Sequence, residues 1–243
     1  MVQGAQNCAA SAGGSRFFDV DLAKRLALVQ VIIEWINGAA LGVTLKNRIR
    51  TEMRERRRRL TLEERSVAST ALAKNLLQLM GFKRVGRIGA YMANDGEIDP
   101  FPALLDCLQR GYKCFLPVLF PGQRRSVRFA NFSNTSKFRL NQYGILEPDL
   151  YQQHCLNAIQ LEWILLPLVA FDMAGNRLGM GGGYYDSSLA LIPHRKNWQR
   201  PRLIGLAYEF QRVDQIFVDE WDVQMHSILT DKKLYTVESS HTR

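Results

Sequence analysis

Residues 163–186 read WILLPLVAFDMAGNRLGMGGGYYD, and their reading decides the fold. The first seven, Trp163–Val169, form an almost unbroken apolar run. A strand with one face in water alternates apolar with polar, whereas a strand covered on both faces does not. The run therefore predicts a central strand of a parallel sheet. Beyond it, Gly179, Gly181, Gly182 and Gly183 lead directly into Tyr184, Tyr185 and Asp186, where a helix from Tyr184 to about Leu191 is expected. Buried strand, loop, glycine run and helix start follow in the order that lets main-chain N–H groups converge on an anion, usually phosphate. Glycine suits such a turn because it has no β-carbon and accepts positive φ. Arg177 adds a fixed charge at the loop's entrance, and the Asp186 carboxylate lies where it can hold Mg2+ bound to phosphate oxygens. The glycines alone also suit a flexible loop whose two tyrosines pack into the core. The pattern is not a Walker P-loop, and its place two-thirds along the chain does not fit a first-strand dinucleotide fingerprint.

Outward from this segment, strand and helix alternate after Gly81. Arg87–Met92 (RIGAYM), Lys113–Leu119 (KCFLPVL), Arg202–Tyr208 (RLIGLAY) and Ser227–Leu229 read as strands, and Val127–Phe132 as an edge strand. Pro117 places itself near the end of its strand. Asn94-Asp95-Gly96 reads as a turn, and Pro100–Arg110 as a helix with Gly111 just past its end. Upstream, Leu45, Ile49, Met53 and Leu60 recur near helical spacing. Thr61-Leu62-Glu63-Glu64 is a capping box opening a second helix, with Val67, Leu72, Leu76 and Leu77 apolar, that ends near Gly81. The expected fold is α/β, a three-layer Rossmann-like arrangement of a mostly parallel sheet flanked by helices, with helices at its N-terminal side.

The chain has 243 residues, 47% hydrophobic and 23% charged, enough for one sizeable core. We divide it into an N-terminal extension, 1–43, and an α/β domain, 44–243. The first fifteen residues are small and polar and are expected to be disordered. Asp21–Val43 reads as an added amphipathic helix, with an upstream start codon as the other reading. A membrane span there would put Gln30, Glu34 and Asn37 mid-bilayer, and Lys24-Arg25 follow too long a polar lead for a signal peptide. Cys8, Cys107, Cys114 and Cys155 form no CxxC pair, and His154, His194, His226 and His241 are scattered, which speaks against a zinc site. Free thiols suit a cytoplasmic protein. Of the net charge of +9, residues 46–59 (KNRIRTEMRERRRR) carry +6, with eight Lys/Arg against two Glu. Such a cluster is a solvated helix face, a phosphate site or a nucleic-acid surface. No aromatic interleaving accompanies it, so nucleic acid is the least supported of the three. No membrane partner is expected, and no dedicated interface pattern departs from a monomer.

Together, LPLVAFDMAGNRLGMGGGYYD, the NDGEID segment at 94–99 and NQYGILEP at Asn141–Pro148 resemble the 5-formyltetrahydrofolate cyclo-ligase (5,10-methenyltetrahydrofolate synthetase) family, from about Leu45 to Leu234. The resemblance implies ATP-dependent cyclisation of 5-formyltetrahydrofolate to 5,10-methenyltetrahydrofolate through a phosphorylated formyl intermediate, with release of ADP and phosphate. It implies ATP contacts from Lys46, Arg50, Arg177, Leu178, Gly179, Met180, Gly181, Gly182, Gly183, Tyr184 and Tyr185. Folate contacts are implied for Met92, Glu97, Met180, Gly181, Gly182, Gly183 and Tyr184, with Glu97 accepting the pterin's paired N–H donors and Met92 or Tyr91 forming an apolar wall. Mg2+ falls to Asp186 and to a second aspartate in a C-terminal WDVPLD-like segment. Here Trp221–Thr230 reads WDVQMHSILT, and on that register His226 takes the second aspartate's place, with Asp222 outside it. A diverged member that binds folate or ATP without turnover is the alternative that this departure raises. Arg56–Arg59 have no role in the resemblance and read as solvated.

Overall fold

The computed structural model describes residues 42–81, 86–119, 126–149, 155–190, 201–219 and 222–237. The disorder expected at the N-terminus, and all but the last two residues of the expected Asp21–Val43 helix, lie outside them. Two helices come first, α1 (residues 42–59) and α2 (Leu62–Met80). They are followed by β1 (Arg87–Gly89), α3 (Phe101–Gln109), β2 (Lys113–Val118) and β3 (Arg128–Phe132). A short hairpin, β4 (Phe138–Leu140) and β5 (Leu146–Pro148), precedes the central strand β6 (Trp163–Pro167). A second hairpin, β7 (Ala170–Phe171) and β8 (Arg177–Leu178), feeds the glycine run and α4 (Tyr184–Leu189). The chain then adds β9 (Arg202–Ala207), β10 (Ser227–Thr230) and β11 (Leu234–Thr236).

The main sheet has seven strands in the order β11-β10-β9-β6-β1-β2-β3. Its five inner strands are parallel, and β3 and β11 pair antiparallel at the two edges. The apolar run of β6 behaves as its composition demands, because a pleated strand sends successive side chains to opposite faces. Trp163 and Leu165 join the apolar layer under α2 and α3, with Leu72, Leu76, Leu104 and Leu116. Ile164 and Leu166 join the layer on the other face, with Phe129, Leu189, Leu203 and Ile228. Strand β9 divides likewise, Ile204 and Leu206 to one face and Leu203 and Ala207 to the other. Helices on two faces of a largely parallel sheet make the three layers expected.

The chain leaves β1 through α3 to lay β2 on one side, and later returns to lay β6 on the other. The reversal puts a crevice at the carboxyl ends of β1 and β6, the place where sheets of this class hold ligands. The expected strand over Arg87–Met92 keeps ladder pairing only through Gly89. Beyond it, Ala90 donates to the Phe115 carbonyl and the chain bends towards the Asp95-Gly96 turn. The capping box on α2 is present, with the Glu64 amide donating to the Thr61 hydroxyl and the Thr61 amide to the Glu64 carboxylate. Among the described residues no helix is long and apolar enough to cross a membrane.

At the opposite, N-terminal ends of β9 and β10, His226 joins the two strands. Its Nδ1 accepts from the Leu203 amide at 3.0 Å, and its own amide donates to the Leu203 carbonyl at 3.0 Å. Burial and the neighbouring Arg202 cation hold its pKa below the ordinary value. Only the neutral ring accepts, so this contribution is full above the ordinary histidine pKa of about 6.5 and fades as pH falls below it. His226→Ala is expected to lower stability by at most about 1 kcal/mol, as for a single hydrogen bond. It should also flatten the acid side of the stability curve, as read by denaturant unfolding at pH values on both sides of the histidine range.

Candidate active site

The glycine run is held from behind by a buried carboxylate. Asp172, 3% exposed, closes the β7–β8 turn: its Oδ1 accepts from the amides of Ala174 and Asn176, each at 3.0 Å. Its Oδ2 accepts from the Asn176 side chain at 2.9 Å and the Ile216 amide at 3.0 Å. Gly175 sits in this turn at φ 82°, where a β-carbon would lie 2.5 Å from a Val237 methyl. The chain leaves the hairpin as Gly179–Gly183, with Gly181 at φ 89° and Gly183 at φ 70°. Helix α1 closes on the loop. Arg50 Nε donates to the Gly179 carbonyl at 2.9 Å, and its guanidinium carbon would lie 3.7 Å from a β-carbon at Gly181. A β-carbon at Gly181 would make only ordinary contact with the arginine, so it is the positive φ of Gly181 and Gly183 that calls for glycine there.

Two cavities meet at this loop. One, of about 360 Å3, is lined by Lys46, Arg50, Arg177, Leu178, Gly179, Gly181, Gly183, Asp186, Ser187, Asp219 and Asp222. Lys46 Nζ lies 2.6 Å from Asp219 and 3.9 Å from Asp222, and Arg177 pairs with Asp186 and donates to the Val223 carbonyl. Three cations and three carboxylates thus surround the loop's main chain, as suits a polyphosphate with its metal ion. The other cavity, of about 350 Å3, runs from the same loop over the ends of β1, β2 and β6, and its lining is mostly apolar. Met92, Glu97, Met180, Tyr184 and Tyr185 line it, together with Tyr143 from the β4–β5 hairpin. The Tyr143 and Tyr184 hydroxyls are 2.6 Å apart, which ties the hairpin to α4 across the cavity's rim.

The expected site residues accordingly divide. Lys46, Arg50, Arg177 and Leu178 line the cationic cavity, while Met180, Gly182, Tyr184 and Tyr185 face only the apolar one. Gly179, Gly181, Gly183, Arg177 and Asp186 border both. Glu97 follows the Asn94–Gly96 turn and accepts from the Asn94 amide at 3.1 Å. Burial pushes its carboxyl up to about 7, against the pull of the Arg57 cation and that amide. Burial likewise raises the Tyr185 hydroxyl, with the Glu97 charge adding to it.

Two expectations are corrected. His226 lies at the far end of β10, bonded to Leu203, and does not line either cavity, whereas Asp222, set aside in the expected register, does. Asp219 and Ser187 were also overlooked. The two carboxylates three residues apart at 219 and 222 were the available signal. Secondly, Arg56–Arg59 are not a uniformly solvated run. Arg57 is 0% exposed, and Arg54, Arg57 and Arg58 converge on Asp95, at 2.6, 3.3 and 2.5 Å. Arg56 stacks over Phe210 at 4.6 Å, and Arg59 faces Glu55 along the helix. Burial alone would raise the Asp95 carboxyl, but hydrogen bonds from Arg54 and Arg58 carry it below the usual carboxylate range. Asp95 thus offsets part of the positive charge on this face of the helix, and Arg57 is withdrawn from it.

Among the described residues no group of three or more His, Cys, Asp or Glu side chains stands close enough together to hold a metal by itself. Asp186, Asp219 and Asp222 are hard oxygen donors around one cavity, which fits Mg2+ held by one or two carboxylates with phosphate oxygens and water completing its shell.

Comparison with known proteins agrees with this geometry. Residues 43–231 match the model of the 5-formyltetrahydrofolate cyclo-ligase family. The 5-formyltetrahydrofolate cyclo-ligase of Haemophilus influenzae is 36% identical over 186 residues, 76% of this chain and 96% of that protein. That of Escherichia coli is 32% identical over 185 residues, 75% of this chain and 98% of that protein. In three dimensions the 5,10-methenyltetrahydrofolate synthetase of Aquifex aeolicus superposes with a TM-score of 0.67 at 27% identity, covering 82% of this chain and 96% of that one. The chain is thus matched in sequence and in fold, and it belongs to the 5-formyltetrahydrofolate cyclo-ligase family.

Proposed function

We propose that the two cavities hold the two substrates of one reaction, ATP in the cationic cavity and 5-formyltetrahydrofolate in the apolar one, and that the glycine loop is where they meet. The single observation carrying this reading is that the same main-chain segment borders both cavities. The formyl oxygen attacks the γ-phosphorus and ADP leaves. The folate N10 then attacks the activated carbon, the C–O bond breaks to release phosphate, and the N10 proton is lost as 5,10-methenyltetrahydrofolate forms. Phosphorylation turns a poor oxygen leaving group into a good one.

The chain's own residues serve by binding and by electrostatics. Lys46, Arg50 and Arg177 offset the charge of the phosphate chain, and the loop amides can donate to its oxygens. Glu97 accepts N–H groups of the pterin, while Met92, Met180 and Tyr184 form the walls against its ring. Asp186 and Asp222 are the residues that would hold Mg2+, which when bound neutralises charge on the phosphoryl oxygens. The non-catalytic alternative rested on an imidazole in the metal site, and with His226 outside the cavity that support is withdrawn.

The direct test mixes the purified protein with Mg-ATP and 5-formyltetrahydrofolate. Near-ultraviolet absorbance of the methenyl product should rise with equal ADP, and no product and no ADP with any divalent metal would reject the reading. Asp186→Ala and Asp222→Ala are each expected to reduce kcat on the order of 100-fold or more, while His226→Asp leaves kcat unchanged. Lys46→Ala or Arg50→Ala should raise the KM for ATP by about 10- to 100-fold, the loss of one charge-assisted contact, with a much smaller effect on the folate KM.

A further inference from the structure

Arg57 occupies a position where an apolar residue is expected. Ile49, Met53 and Arg57 follow one another at four-residue steps along α1, the spacing that shares a helix face. The first two pack with Val169, Leu178 and Ile216. Arg57 continues their stripe into the interior and is wholly buried. A buried guanidinium is tolerated only against partners, and those of Arg57 come from several walls of the folate cavity. Its Nη1 donates to the Leu168 carbonyl at the exit of β6, at 3.4 Å, and lies 3.9 Å from Glu97 Oε1. Its Nη2 is 3.3 Å from Asp95 and 3.9 Å from Met180 Sδ. Its main chain presses on Gly96, where a β-carbon would lie 3.1 Å from the Arg57 carbonyl. Asp95 has closer cations in Arg54 and Arg58. For Glu97, Arg57 is the one cation within ion-pair reach among the described residues.

We propose that Arg57 is a positioning residue for the folate, the buried cation against which the Glu97 carboxylate is kept ionised and aimed at the pterin. The inference rests on the reading of Glu97 given above. The other groups facing Glu97 are Asp95 in its own turn, Asp99 two residues on, Tyr91 beyond β1, Tyr185 on α4, and Tyr208, whose hydroxyl donates to the Glu97 main-chain carbonyl at 3.5 Å. None of these is a cation. With Arg57 neutralised, burial and Asp95 both favour the protonated acid, and the Asn94 amide alone opposes them.

A carboxylate accepts two N–H donors only when ionised. Folate affinity is therefore full above the Glu97 pKa and falls as pH drops through it. Removing the Arg57 charge raises that pKa and moves the acid limb to higher pH, with up to about tenfold in affinity per unit.

The experiment measures KM for 5-formyltetrahydrofolate and for ATP from acid to alkaline pH in the full chain, its Arg57→Met, Arg57→Lys and Glu97→Gln variants, with thermal unfolding alongside. In Arg57→Met the acid limb of the folate KM should rise by about one unit, giving about 5-fold weaker folate at neutral pH that recovers on the alkaline side. Arg57→Lys, which keeps the charge, should leave the limb near its original pH, and the ATP KM should stay within about twofold throughout. A folded Arg57→Met with an unmoved limb overturns the proposal, as does a parallel rise of both KM values at every pH. If Arg57→Met does not fold, Arg57→Gln, a neutral donor of similar reach, makes the same comparison. Glu97→Gln with an unchanged folate KM instead removes the underlying reading of Glu97. Loss of folate in Glu97→Gln beside an unmoved limb in the Arg57 variant sinks only the role of Arg57.

Discussion

One contact joins the two halves of the site: the Arg50 guanidinium on the carbonyl of Gly179, across 129 positions of sequence. The sheet and its hairpins supply a glycine-rich loop, and of the cations that line the cationic cavity they supply Arg177 alone. Helix α1 brings the others, with the Arg50 guanidinium lying against Gly181 and bonded to the Gly179 carbonyl. Glycine is thus asked for twice, once by the anion that the loop is read as holding and once by the positive φ of Gly181 and Gly183. The same helix then reaches the turn before Glu97 through Arg54, Arg57 and Arg58. Its face is a ruler laid along both cavities, with Lys46 and Arg50 at one and Arg57 behind the other.

The turn it reaches is the one strained place among the described residues outside glycine. Asp95 has φ 49°, a left-handed conformation that costs an ordinary residue about 1 kcal/mol or more. Three guanidiniums on its carboxylate offset that strain. A turn held by its own Asn94–Glu97 hydrogen bonds and by charge from a neighbouring helix can set the direction of the next carboxylate to within the tolerance that recognition of a flat ring needs.

Much of this was legible before any coordinates. Apolar runs without alternation announced buried strands, Thr61 and Glu64 announced a helix start, and the glycine run announced the loop. What escaped has physical reasons. Strands of two and three residues, such as β7, β8, β4 and β5, are too short to show a period of two. Arg57 sits among arginines, and a string of like charges does not reveal which member turns inward; only its place after Ile49 and Met53 could have done so. The placing of His226 at the cavity came from counting along a segment whose path was unknown. A shift of four residues there moves a side chain from the cavity to the opposite end of the strands.

The separation between Lys46 and Asp219, 173 positions, carries a consequence for synthesis. Contacts so distant in sequence form late, after the intervening elements have closed their own short loops. A ribosome making this chain releases the cationic helix first and the carboxylates at 219 and 222 near the end. A partly made polypeptide therefore owns Lys46 and Arg50 without Asp219 and Asp222, and the lining of the cationic cavity is complete only once those carboxylates have been made.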